Sequence, residues 1–161
     1  MSNDSERDVE RAWELMQKIS FAMLVTRDGE KLRARPMHAH LDRAANAIYF
    51  LADARRHKDE EIARDPNINL SFADAGSQKY VSVSGTAAIS NDRAKIKELF
   101  STAAKAWWSN AEDPDIRVLK VTPEEAEYWD SPGSVIAYVK MAAAAVTGNR
   151  PNLGDNRKVA I

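Results

Sequence analysis

The chain has 161 residues, 44 % of them apolar and 29 % charged, with a formal net charge of −1 and no cysteine. Near-neutral charge argues against nucleic-acid or anionic-membrane binding, and the lack of cysteine excludes disulfides, thiolate nucleophiles and cysteine-based metal sites. No apolar run reaches the ~18 residues of a membrane span, and the charged start MSNDSERDVER has no apolar signal core; one soluble, cytoplasmic domain over residues 1–161 is expected.

Residues 5–19 read as an amphipathic helix, with Val9, Ala12, Trp13 and Met16 on one face and Ser5 as its N-cap. The apolar run 20–27 predicts a strand, and Asp28-Gly29 a hairpin turn into a second strand over 31–41. A turn near Asn46-Ala47 precedes a strand at 47–52, and residues 57–65 predict a short helix stopped by Pro66. Strands follow at 68–74 and 80–89. In the second, Val81, Val83, Gly85 and Ala87 alternate with Ser82, Ser84 and Thr86. Residues 92–107 predict a helix in one or two pieces, with Asp92 as cap and Ile96, Leu99 and Phe100 as apolar face. Strands at 116–122 and 125–130 flank a turn at Pro123, and Ser131-Pro132-Gly133 is a further turn. The segment 134–146 reads as a strand, although its alanine run fits a helix equally, and the tail 148–161 reads as irregular. Strands joined by short turns imply an antiparallel sheet, and their number suits a closed or partly closed barrel.

Two stretches concentrate positive charge. Arg55-Arg56-His57-Lys58 opens a predicted helix, where cations face the positive end of the helix dipole. A bound anion relieves that conflict, and free backbone N–H groups there would favour one; a solvated loop balanced by Asp59, Glu60 and Glu61 is the plainer alternative. In Arg33-Ala34-Arg35-Pro36-Met37, the side chains of Arg33, Arg35 and Met37 share one strand face, and Pro36 marks an edge or a bulge. Adjacent arginines repel unless an anion lies between them; an exposed polar face explains them as well. His38 and His40 share a face too, but with no further ligand at suitable spacing no metal site is expected. Trp107-Trp108 packs in a core or an interface, or borders a planar ligand.

These pieces, in this order, resemble the general stress protein 26 type of the pyridoxamine 5′-phosphate oxidase-like, FMN-binding split-barrel superfamily. The likeness runs through RARPM (33–37), IYFLADARRHKDEEI (48–62), YVSVSGTA (80–87), DPDIRVLKVTPEEAEYWDSP (113–132) and GNRPNLGDNRKVAI (148–161). It implies a mainly β, α+β fold: a six-stranded antiparallel split barrel with peripheral helices, working as a homodimer with FMN in the clefts between subunits. Arg33 and Arg35 then contact the phosphate or the ring, with Pro36 and Met37 adding main-chain groups and packing. Phe50, Leu51 and Ala52 match the strand end along the flavin ring, and Arg56, His57 and Lys58 match a Ser-Arg-Lys phosphate clamp. Tyr80 matches a cofactor-touching position, and Trp107 and Trp108 an aromatic segment near the flavin. The chain departs from the pattern at Ala52, where a threonine is usual, at Arg56 in place of serine and at His57 in place of arginine. The Trp…Arg substrate segment of true pyridoxamine phosphate oxidases is missing, so that activity is not expected.

The expected function is a flavin-dependent oxidoreductase acting on a small molecule, with the chemistry carried by the cofactor. A non-catalytic flavin-binding stress or sensor protein is the alternative. A barrel holding deazaflavin or haem, and a cofactor-free interaction dimer, are further ones.

Overall fold

A computed structural model describes residues 2–56, 58–132, 134–150 and 154–161. Helix α1 (Ser2–Ile19) is followed by β1 (Phe21–Asp28), β2 (Lys31–His38), β3 (His40–Asp42) and β4 (Ala47–Asp53). A 3-10 turn, Ala54–Arg56, leads into α2 (Lys58–Arg64), then β5 (Asn67–Asp74) and β6 (Lys79–Ser90). Helix α3 (Arg93–Leu99) and a 3-10 segment, Thr102–Ala106, precede β7 (Ile116–Asp130), α4 (Ser134–Thr147) and β8 (Asp155–Ala160). Among the described residues, no helix is long and apolar enough to cross a membrane.

The strands form one antiparallel sheet in the order β2-β1-β5-β6-β7-β4-β3, with β8 added to β7. The ends of this path approach each other where β2 passes β4, and no ladder joins them among the described residues. This is a split barrel. Its expected six strands correspond to β1, β2, β4, β5, β6 and β7; two more arise where local reading fell short. The predicted strand 31–41 breaks at Ala39, whose N–H is taken by Ser20 O at 2.8 Å, which sets off β3. The tail predicted as irregular instead supplies β8, paired along the outer half of β7 from Glu125↔Ala160 to Asp130↔Asp155.

Three further expectations are corrected. Ser5 lies inside α1 and does not cap it. Segment 134–147 is helical, because its alanine run favours helix over the competing strand reading. Pro123 makes no turn: β7 runs unbroken through it. The proline sits where β7 exchanges β4 for β8 as its neighbour and where the β6 register shifts between Ser84 and Gly85, so its missing N–H breaks no regular ladder. Gly85 faces it, and a Cβ there would lie 2.3 Å from the Thr122 carbonyl oxygen. The hairpin after Asp28 forms as expected, with Gly29 at a φ of 63°.

Alternation in β6 buries Val81, Val83, Gly85 and Ala87. Val81, Val83 and Ala87 join Leu24, Phe50, Leu70 and Phe72 in a core closed by Ala12, Trp13, Leu15 and Met16 of α1. Each fully buried large side chain there contributes about 1.5–3 kcal/mol. A second cluster, on the outer face of β4 and β7, contains Ile96, Ala104, Trp108, Ile116 and Val118. Asp92 caps α3 as expected, accepting from the Lys95 N–H.

Helix α1 is also tied electrostatically. The Asp130 carboxylate accepts from Arg11 Nε at 2.6 Å and Nη2 at 3.1 Å, and from Lys79 Nζ at 2.5 Å. The Arg11 hydrogen bond, partly opposed by burial, holds Asp130 below its ordinary carboxylate range. Asp130→Asn is expected to cost about 2 kcal/mol in urea unfolding at neutral pH. A group with a depressed folded pKa stabilises above its unfolded value, here 3.8, and loses that contribution as pH falls through the folded value. The gap between wild type and variant therefore closes in acid below that point.

Candidate anion-binding site

The register of β1 against β2 sets Thr26 opposite Arg33, Leu24 opposite Arg35 and Ala22 opposite Met37. Arg33, Arg35 and Met37 thus share the barrel side of β2, as their alternation predicts. Pro36 is exposed on the other face, and β2 is an end strand, where a proline is tolerated.

Two arginines on the inner side of a sheet need a counter-charge, and α2 brings one. Glu61 is 5 % exposed. Its Oε2 accepts from Arg35 Nη2 at 2.8 Å and from Thr26 Oγ1 at 2.5 Å, and its Oε1 from Arg33 Nη1 at 3.3 Å. Arg35 Nη1 also donates to Thr26 Oγ1 at 2.7 Å, closing a three-membered network.

Lys58, at the first position of α2, is 8 % exposed. Burial pushes its ammonium below the ordinary lysine range, and repulsion from Arg35 and Arg56 pushes it further, against the smaller opposing fields of Asp53 and Glu61. No hydrogen bond or ion pair closes on it among the described residues. Arg35 and Lys58 are therefore close enough to repel, and a carboxylate bonded to one leaves the other open. Chemically, a dianionic group set between the cations would remove their repulsion and meet the buried ammonium.

The basic run around this lysine divides. Arg55 is neutralised locally, with Nη2 at 2.9 Å from Asp53 Oδ2 and Nε at 3.5 Å from Asp115 Oδ2, rather than by Asp59, Glu60 or Glu61. Arg56 is exposed and reaches Asp53 only at 3.9 Å. His57 lies outside the described residues. The first turn of α2 carries Asp59, Glu60 and Glu61, so this short helix meets its own dipole and the attraction for an anion comes from side chains.

The other candidates are spread out. Phe50 is fully buried in the main core, Ala52 is buried too, and Leu51 faces the second cluster. Tyr80 points to the outer face between Ala73 and Trp129, away from Arg35. Trp108 packs in the second cluster, its Nε1 buried without a hydrogen-bond partner, while Trp107 is 73 % exposed. One chain thus gathers Arg33, Arg35 and Lys58 but leaves Tyr80 and Trp107 facing solvent.

Sequence reading missed Glu61 and Thr26 as members of the site. A faint signal existed for Glu61: it lies one helical turn after Lys58 and next to the apolar Ile62, so it shares the inward side of α2.

An antiparallel split barrel flanked by helices, with inward cations on its end strand facing a buried lysine, defines a protein of the split-barrel class. The model of the family described as pyridoxamine 5′-phosphate oxidase like matches residues 7–152, and the chain belongs to that family. Protein bli-3 of Neurospora crassa is 28 % identical over 148 residues, which is 84 % of this chain and 71 % of that protein. General stress protein 26 of Bacillus subtilis is 31 % identical over 85 residues, 48 % of this chain and 58 % of that protein. The structure of a protein assigned as general stress protein 26 from Jannaschia sp. CCS1 superposes with a TM-score of 0.78 at 26 % identity, over 96 % of this chain and 99 % of that one. The general stress FMN/FAD binding protein of Xanthomonas citri shares the fold, with a TM-score of 0.67 at 22 % identity over 78 % of this chain and 89 % of its own. The expected resemblance to general stress protein 26 is borne out.

Proposed function

We propose that this protein binds FMN through the Arg35–Lys58 cluster, at the interface of a homodimer, and acts as a flavin-dependent oxidoreductase of the general stress protein 26 type. The observation that carries the reading is the meeting of an inward arginine on β2 with a buried lysine at the start of α2, where burial and the neighbouring arginines outweigh the fields of Asp53 and Glu61. That pair suits the dianionic phosphate of a mononucleotide. The description of the Xanthomonas citri relative as FMN/FAD binding supports a flavin as the rest of the ligand. The flavin, when bound, supplies reversible electron transfer.

The roles of the chain's own residues follow. Lys58 and Arg35 neutralise the phosphate, Arg33 and Arg56 add positive field at its rim, and Pro36 and Met37 shape the strand beside it. Trp107 and Tyr80, both open on one chain, serve the cleft formed with a second copy. The departures at Ala52, Arg56 and His57 place more of the phosphate binding on Lys58 and Arg35. The gathered groups bind charge and include no recognisable nucleophile, which favours a non-catalytic flavin sensor as the second reading.

The test is direct. Protein purified under mild conditions is expected to be yellow and to release FMN on denaturation, identified by mass spectrometry. Release of haem, deazaflavin or no chromophore, together with failure to take up added FMN, overturns the reading. Anaerobic bleaching of the flavin by NAD(P)H or another donor, with reoxidation by an acceptor, supports the enzyme; a bound flavin inert to all donors leaves the sensor.

A further inference from the structure

Asp28 also meets Arg33, at 3.3 Å, but among the described residues Glu61 is the carboxylate bonded to both Arg33 and Arg35. A buried anion there is costly unless its partners need it. Its acceptor capacity is filled from one side: Arg35 and Thr26 on Oε2, Arg33 on Oε1. Arg35 in turn spends one N–H of Nη2 on Glu61 and one of Nη1 on Thr26. A guanidinium carries five N–H donors in a rigid plane, so fixing one edge aims the remaining donors in a set direction. The side chain of Arg35 keeps 18 % exposure, against 6 % for Glu61, so the open part of the network belongs to the arginine. Lys58 lies near this arginine, within the field of Asp53 and of Glu61 itself, but with no hydrogen bond to either carboxylate among the described residues.

We propose that Glu61 is a positioning residue: it holds Arg35, through a shared bond with Thr26, in the orientation that presents its free edge to the phosphate of the bound nucleotide. The proposal rests on the phosphate reading of the Arg35–Lys58 pair. A competing role is physically distinct. If Glu61 were a stand-in anion that the phosphate must displace, its neutralisation would tighten binding. The geometry opposes displacement, because Glu61 is locked by Thr26 as well as by both arginines and has little exposure through which to leave.

The test titrates FMN and riboflavin, which lacks the phosphate, into the full-length chain freed of flavin, following flavin fluorescence. Four proteins are compared: wild type, Glu61→Gln, Arg35→Ala and the double variant. Glu61→Gln keeps the shape and removes the charge. It is expected to weaken FMN at least about tenfold, the scale of a lost charge-assisted hydrogen bond, while riboflavin affinity stays within about twofold of wild type. In the Arg35→Ala background the same change is expected to have no further effect on FMN, because a residue acting through Arg35 is silent without it. Unchanged or tighter FMN binding by Glu61→Gln overturns the inference while leaving the phosphate reading in place. So does an equal loss for FMN and riboflavin, which marks a structural role. Wild type binding both ligands equally removes the phosphate reading and the inference together.

Discussion

Replacing Arg35 and Lys58 together by alanine is expected to weaken FMN binding about a thousandfold, since each charge-assisted contact to phosphate contributes about 1.5–3 kcal/mol. Riboflavin affinity should change little, and the fold should persist. For Arg35 the loss is limited because Glu61 keeps Thr26 and Arg33 as partners; for Lys58 persistence follows from the site itself. Lys58 is buried, held below the ordinary lysine range mainly by desolvation and then by Arg35 and Arg56, and so opposes folding of the flavin-free protein. Lys58→Met is accordingly expected to raise the thermal midpoint of the flavin-free chain even as it abolishes tight FMN binding. The sign of the pH dependence follows. A lysine depressed in the folded state binds its proton less firmly there than in the unfolded chain. Stability of the flavin-free protein therefore rises with pH from the folded value of Lys58 up to 10.5, its unfolded value. Phosphate favours the protonated ammonium, so FMN affinity runs the other way and falls as pH climbs above the folded value of Lys58 in the flavin-free chain. Urea unfolding of the flavin-free chain and FMN titration by fluorescence quenching, both across alkaline pH with Lys58→Met as the reference, check the two signs. Equal affinities of wild type and double variant would remove the phosphate assignment.

The parts of this arrangement that could be read without coordinates are those where local pattern and tertiary demand agree. Arg33, Arg35 and Met37 alternate in a strand, and the β1–β2 hairpin around Gly29 fixes which face they take. The alternation through Val81 and Val83 likewise states its own burial. What stayed hidden depends on partners distant in sequence. DNRKVA carries one buried side chain, Val159, and becomes β8 only because the outer half of β7 lacks a neighbour on that edge. Pro123 reads as a break until the Gly85 register shift is seen beside it. Asp59, Glu60 and Glu61 are three acids in a row, and only the docking of α2 against the barrel decides that Glu61 turns inward to the arginines. The basic run divides for a reason outside it: Asp53 and Asp115, not the acids that follow the run, pair with Arg55, while Lys58 is buried by the docking of α2.

A charged residue in the outer face of the sheet is expected to convert a dimer into a monomer and to cost most of the flavin affinity. Register aligns His38 with Phe21 on β2 and β1, and Tyr80 with Trp129 on β6 and β7; Ala73 of β5 pairs with Tyr80 and is level with Phe21. The result is an apolar row across the outer face, with Phe21 60 %, Tyr80 37 % and Trp129 40 % exposed and Met23 beside them at 39 %. Separately, helix α4 exposes Tyr138 at 71 % and Val146 at 87 %, on a helix whose one charge is Lys140. Contiguous apolar surface of this kind marks an association site, and a second copy of the chain suits it because Tyr80 and Trp107 do not reach the Arg35–Lys58 cluster of their own chain. Phe21→Glu with Trp129→Glu places carboxylates on that row without touching the cations, and desolvating them on association costs several kcal/mol. Light scattering should give a wild-type dimer at micromolar concentration and a monomer for the variant, whose FMN affinity should fall at least about a hundredfold if the missing walls of the cleft come from the partner. A wild-type monomer, or a monomeric variant that keeps full FMN affinity, would place the whole flavin site within one chain and leave Tyr80 and Trp107 outside it.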